Sequence, residues 1–342
     1  MAYHFKNLVF EGGGVKGIAY VGALEVLDKE GILNNIERVA GTSAGAMMAV
    51  MVALRYTAEE VRQVLWNLDF KDFKDSSKGI IRDTNRLLKE FGWYKGAFFR
   101  KTIADLIQRK TGDGEMTFEQ LEQTGKYRKL YLVGADLTTG LSKIFSASSS
   151  ETKKVKVADA ARISMSIPIF FAAVRNKDNN HIFVDGGLLD NYTVKTFDRQ
   201  TYLADRNNAR RTDYYEKINQ QLRMERSITT NEYVYNKETL GFRLDTKEQI
   251  DMFLGQASAP CKKIDTFFDY TKALLTTLID FQANDHLHSD DWQRTVYIDS
   301  LGVSAIDFGL DDDKKRELVK SGKAYTQAYL NWYNNDEEKA NK

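Results

Sequence analysis

The sequence predicts an α/β protein built on a parallel, doubly wound sheet. Short apolar runs that read as buried strands alternate with segments of helical periodicity. The first two runs each end in a glycine-containing turn that opens a helix, which gives a β-loop-α-β-loop-α order. Only two prolines, Pro168 and Pro260, occur in 342 residues, and no linker, repeat or low-complexity tract divides the chain. The expectation is therefore one domain spanning 1–342.

Residues 6–10 read as the first strand and run into Glu11-Gly12-Gly13-Gly14. Val15 to Glu30 reads as a helix with Ile18, Val21, Leu24, Val26 and Leu27 on its apolar side and Gly31 as its stop. Ile36 to Ala40 is the second strand, entering Gly41-Thr42-Ser43-Ala44-Gly45. Ala44 to Arg55 is a helix of small and apolar residues suited to close packing on a sheet. Residues 57–128 read as mostly helical. Further strands are expected at 129–135, 141–146, 181–185, 239–244 and 294–299, with a closing helix at 313–333. Residues 199–235, rich in Arg, Asn, Tyr and Glu, read as a surface insertion with helical character. It is either a solvated excursion or a partner-binding element.

Composition narrows the function classes. A hydrophobic content of 42% is enough for a large core, and a net charge of +1 gives no global field for nucleic acid or an anionic surface. Cys261 is the only cysteine, so no disulfide can form within the chain. The start, MAYHFKNLVF, has no signal-peptide pattern, and no apolar run reaches the roughly 20 residues of a spanning helix. A cytoplasmic location is the expectation.

The glycine loop offers backbone N–H groups to a negative charge. Gly12, Gly14 and Gly17 can be aligned with G-x-G-x-x-G, but the second strand does not close on the acidic residue a dinucleotide fold requires. A phosphate-binding P-loop needs Gly-Lys-Ser/Thr, and Gly17 is followed by Ile18-Ala19. Gly41-Thr42-Ser43-Ala44-Gly45 instead matches G-x-S-x-G, which places a serine on a sharp strand-to-helix turn. Ser43 is the candidate nucleophile, and a helix-capping serine is the plain alternative. Gly41 and Gly45 let the elbow close. The loop of Gly12, Gly13 and Gly14 is the candidate oxyanion hole, with Lys16 orienting it. Asp185, closing the run Ile182-Phe183-Val184 before two glycines, is the candidate acid. His286 and His288 keep open an α/β-hydrolase triad in the order Ser, Asp, His, although one strand before the elbow is few for that fold.

These residues resemble the patatin-like phospholipases, lipid acyl hydrolases, in the bacterial form. The resemblance rests on E-G-G-G-V-K-G, G-T-S-A-G and the later D-G-G, with Asp159–Phe171 similar to the family's Ala/Arg/Ser/Pro segment. DGGLLDNYTV, TLGFRLD and the stretch from Val303 to Leu330 also look similar, so it covers most of residues 6–330. Glu11 and Lys16 stand where Asp and Arg are frequent. The resemblance implies a three-layer α/β/α fold with a mostly parallel central sheet. It implies a Ser43–Asp185 dyad without histidine, an oxyanion hole around Gly13 and Gly14, and an acyl-enzyme intermediate. It implies a phospholipid or other glycerolipid substrate, no cofactor and no metal. An activator is a candidate partner, and a pseudoenzyme that senses a ligand is the rival. Ile264, Phe267, Phe268, Leu274, Leu275, Leu278 and Phe281 recur at helical spacing. They form either a core-facing helix or one that lies on a membrane surface.

Overall fold

The computed structural model describes residues 3–73, 86–226, 231–247, 263–266, 269–271, 273–274, 276–278, 290–335 and 341. Its strands are β1 (Asn7–Phe10), β2 (Arg38–Thr42), β3 (Gly92–Tyr94), β4 (Lys129–Asp136), β5 (Leu141–Phe145), β6 (Ile169–Phe171), β7 (Val174–Arg175), β8 (Ile182–Asp185), β9 (Ala209–Arg210), β10 (Tyr235–Asn236), β11 (Thr239–Asp245) and β12 (Thr295–Asp299). Eight of them form the central sheet in the order β12-β11-β1-β2-β4-β8-β7, with β5 also on β4. The run from β12 to β4 is parallel, whereas β5, β7 and β8 pair antiparallel. The fold is thus mixed α/β with a mostly parallel sheet.

Alternation along the strands divides the core. Leu8, Phe10, Val39, Leu130 and Leu132 belong to a large cluster with helices α1 (Ala19–Lys29) and α2 (Ala44–Ala53) and the closing helix Asp312–Asn335. Val9, Ala40 and Tyr131 point into a smaller cluster with Tyr192, Val194 and Phe197 from the segment after β8. That segment is built of 3-10 turns, so among the described residues the second face is covered there without a long helix.

The register on β4 positions the site. β2 pairs with Lys129 to Val133 and β8 with Gly134 to Asp136, while β5 occupies Leu132 to Asp136. A strand has two edges, so overlap with β5 forces β2 and β8 onto the same opposite edge. They run in opposite directions there and meet head to head: Thr42 lies opposite Val133, and Asp185 opposite Gly134. The second strand continues two residues beyond the Ala40 end expected from its apolar run, because Gly41 and Thr42 still pair with Leu132 and Val133. The expected first helix opens as a 3-10 turn, Gly14–Ile18, before α1. β3, β6, β7, β9 and β10 have two or three residues each, too few for a readable period.

Residues 199–235 contain the helix Asp213–Arg226, but this segment also has buried anchors. Arg294, fully buried, donates to Asp198 (2.5 and 2.7 Å) and Asp291 (2.6 Å), and the Tyr215 hydroxyl donates to Asp198. Tyr215 and Asn219 of the helix are buried, and Asn219 donates to the Tyr233 carbonyl at 2.8 Å. Ile264, Leu274 and Leu278 are exposed. Phe267, Phe268, Leu275 and Phe281 lie outside the described residues, as do Pro260, Cys261, His286 and His288.

Removing one partner of a buried ion cluster leaves the others charged and dry, which costs about 3–5 kcal/mol. Arg294→Met is therefore expected to lose about that much stability in urea unfolding. A loss below about 1 kcal/mol would show that Arg294 does not anchor the 198–236 region.

Candidate active site

Ser43 sits at φ 54°, ψ −125°, outside the regions an L-residue ordinarily occupies. The elbow is closed by two bare Cα atoms. A Cβ on Gly41 would lie 2.1 Å from the Gly45 carbonyl oxygen, and one on Gly45 would lie 2.2 Å from that of Phe10. The Ser43 N–H donates to Ser164 Oγ at 3.0 Å, and Thr42 Oγ1 donates to the Asp190 carbonyl at 3.1 Å. The elbow is thus fastened from both sides while Ser43 itself remains buried.

Asp185 is buried beside Ser43. Its Oδ1 accepts from the Gly187 N–H at 2.7 Å, and Oδ2 has no well-formed hydrogen bond. Burial pushes the carboxyl up from 3.8 to about 7, against the opposing pull of the Gly187 N–H and the Ser43 hydroxyl. Its backbone is held by Asp185 N–H donating to the Ser166 carbonyl at 2.9 Å. The strand order brings Ser43 and Asp185 together, with no histidine of the described residues between them. His181 pairs with Asp136 at 2.7 Å, and His4 contacts the Lys237 carbonyl and the Tyr333 hydroxyl.

The glycine loop is crowded on every side. Gly12 N–H donates to the Asn191 carbonyl at 3.1 Å, so this amide is already engaged. Gly13 and Gly14 N–H groups have no acceptor among the described residues, and Gly14 lines the same pocket as Ser43. The Lys16 ammonium donates to the Leu244 carbonyl at 2.9 Å, while the Glu11 carboxylate accepts from the Leu244 N–H at 2.8 Å. These two side chains hold both sides of one residue at the end of β11, and Leu244 in turn packs against Gly13. Arg243, buried, lies 3.6 Å from Glu11 and donates to Asp245 at 2.8 Å. Burial pushes the Glu11 carboxyl up, opposed by Arg243.

Two supporting residues escaped the sequence reading. Asn191 donates to the Gly12 carbonyl and to Glu11, joining the glycine loop to the turn after Asp185. Ser164 holds the Ser43 amide. Their only signal was membership in DGGLLDNYTV and in the Asp159–Phe171 segment.

A pocket of about 710 Å³, mouth included, opens beside Ser43. Met47, Met48, Phe73, Phe99 and Phe308 are among its walls, and Ser43 and Arg162 supply the only polar side chains among the described residues that line it. Arg162 donates to the Lys95 and Ala172 carbonyls at 2.5 and 2.8 Å. An apolar pocket with one convergent polar corner is typical of a small-molecule site.

The charge on Asp185 should carry a stability cost. Its folded pKa lies above the unfolded value, so the contribution of this group to stability is greatest below about pH 4 and is lost as pH rises toward about 7. A carboxyl raised from 3.8 to about 7 corresponds to roughly 4 kcal/mol. Asp185→Asn is expected to gain on wild type in melting temperature between pH 4 and 8. Parallel curves for the two proteins would contradict a desolvated Asp185.

The patatin-like phospholipase profile matches residues 8–198. The uncharacterised protein YqhO of Bacillus subtilis (strain 168) is 30% identical over 334 residues, covering 94% of this chain and 97% of its own. A probable lipid hydrolase, 463L, of invertebrate iridescent virus 6 is 27% identical, over 56% of this chain and 62% of that protein. Among solved structures, VipD from Legionella pneumophila superposes with a TM-score of 0.55 at 16% identity, over 96% of this chain and 67% of VipD; this likeness concerns the fold. The profile ends at Asp198, short of the TLGFRLD and Val303–Leu330 stretches, while the similarity to YqhO continues over nearly the whole chain. By the profile match, which spans more than half of its length, the chain belongs to the patatin-like phospholipase family of hydrolases.

Proposed function

We propose that the protein is a serine lipid acyl hydrolase of the phospholipase A type, working through Ser43 and Asp185. The observation that carries the reading is the approach of the buried Asp185 carboxyl to Ser43, which itself lines an apolar pocket. The family match and the lipid-hydrolase relative favour an ester-linked acyl substrate.

In this mechanism Asp185 takes the Ser43 proton as Oγ attacks the ester carbonyl carbon. A carboxylate of ordinary pKa is a weak base toward serine, and desolvation makes Asp185 a stronger one. The Gly13 and Gly14 N–H groups are the available oxyanion donors, each worth roughly 3 kcal/mol in the transition state. The tetrahedral intermediate collapses, the proton held by Asp185 passes to the leaving alcohol, and an acyl-Ser43 ester remains. Water then attacks the acyl carbon as Asp185 takes its proton, the acyl–Oγ bond breaks, Asp185 returns the proton to Ser43 Oγ, and the fatty acid leaves.

Turnover of a fluorogenic ester or a phospholipid tests the dyad. Ser43→Ala and Asp185→Asn should each lower kcat/KM by about a thousandfold, the scale of a lost nucleophile or base, and the double variant little further. The base must be ionised, so kcat/KM of wild type should rise tenfold per pH step below about 7 and level above it. Near-normal turnover by either single variant removes that residue from the mechanism.

Peripheral contact with a lipid surface belongs to the same reading. Exposed Leu274 and Leu278, four residues apart in a helical stretch, give it a physical basis. Vesicle co-sedimentation should fall for a Leu274→Asp/Leu278→Asp variant that keeps wild-type turnover of a soluble ester; equal sedimentation would reject an interfacial role for these residues.

A further inference from the structure

We infer that the pocket beside Ser43 takes an acyl chain of about ten carbons laid along α2, and that Met51 determines where that chain ends. The inference rests on the acyl-hydrolase reading and specifies the substrate class of that same site. Ser43 and Ala44 stand at the N-terminal end of α2, and Met47, Met48 and Met51 line the pocket successively along it. Met47 and Met51, four residues apart, share one helix face.

The length follows from the helix. Met51 lies eight positions after Ser43, which at 1.5 Å per residue is about 12 Å. Carbon–carbon bonds of about 1.5 Å give an extended alkyl chain an advance of about 1.3 Å per carbon, so this wall accommodates about nine carbons beyond the carbonyl. The α2 wall stops at Met51: no later residue of α2 lines the pocket. Met51 is fully buried, and its carbonyl accepts from the Tyr56 N–H where the chain turns away at the end of α2.

The walls give chain length an energetic reading. Arg162 is the only charged side chain among the described residues of the lining, and its guanidinium donates to the Lys95 and Ala172 carbonyls and to the Ser166 hydroxyl. The alkyl chain is therefore held by apolar burial, at about 0.8 kcal/mol or roughly fourfold in affinity per methylene. That gain ends where the pocket ends. Methionine is flexible enough to line such a channel closely, and it can be shortened or replaced without adding charge.

The experiment measures binding apart from turnover. A fluorescent fatty acid is displaced from Ser43→Ala protein by saturated fatty acids of increasing length, below their micelle concentrations. Affinity should tighten about fourfold per methylene from hexanoate to decanoate and then level. Met51→Ala should move the break to dodecanoate or longer. Met47→Phe, which narrows the same wall without opening a cavity, should move it to octanoate or shorter. A constant slope through palmitate, an unchanged break in both variants, or no displaceable binding would each overturn the inference. A break at decanoate in a wild type that hydrolyses no ester would uphold it and sink the hydrolase reading. Ester turnover with no chain-length break would do the reverse.

Discussion

The edge of β4 is the constraint on which the site depends. One strand edge carries two partners in series, β2 arriving parallel and β8 arriving antiparallel. Their ends abut at Val133 and Gly134, so Ser43 and Asp185 leave the sheet at one point from opposite directions. There is no room for a side chain at the junction: a Cβ on Gly186 would lie 2.4 Å from the Val133 carbonyl oxygen. Two residues distant in sequence are thereby brought together by sheet hydrogen bonds, which are far stiffer than a loop. A slip of one residue in either register would turn one of the two side chains to the other face.

Around that junction the polar groups form a scaffold, and they leave few of their own donors free. Ser164 takes the Ser43 amide, Asn191 takes the Gly12 amide, and Ala305 takes the Val15 amide. Glu11 and Lys16 grip the two sides of Leu244. Buried donors are normally satisfied in native structures, so Gly13 and Gly14, whose N–H groups lack acceptors among the described residues, are informative by contrast. The site is defined as much by the donors already taken as by the pair left over.

The strands of the parallel sheet and the elbow were legible because each depends on local pattern. Apolar runs mark the buried strands, and Gly41 and Gly45 flank Ser43 at fixed spacing. Asp185 was legible from its place at the end of an apolar run before two glycines. The direction of β8 was not, since nothing in Ile182–Asp185 distinguishes a parallel from an antiparallel partner. The roles of Asn191, Ser164 and Arg294 were equally hidden. Each contacts groups far away in sequence, and an isolated Asn, Ser or Arg carries no period. The same holds for the cover of the second sheet face, where Tyr192, Val194 and Phe197 pack from 3-10 turns.

The apolar pocket and the buried carboxyl are physically linked. Both follow from keeping water away from the end of β2: the same exclusion that gives an alkyl chain a favourable place to lie penalises the ionised form of Asp185. In the proposed reaction, an acyl chain that fills the pocket displaces further water and strengthens the base at the moment an ester carbonyl lies over Ser43. Chain burial would then act on kcat as well as on binding. The cost falls on the free protein, which must hold a partly ionised carboxylate in a dry junction near neutral pH. The Gly187 N–H limits that cost with one charge-assisted hydrogen bond, and Oδ2 is left without such support. A second strong donor on Oδ2 would lower the cost and weaken the base by the same interaction, which gives the sparsely supported oxygen a physical rationale in the proposed pairing of Ser43 with Asp185.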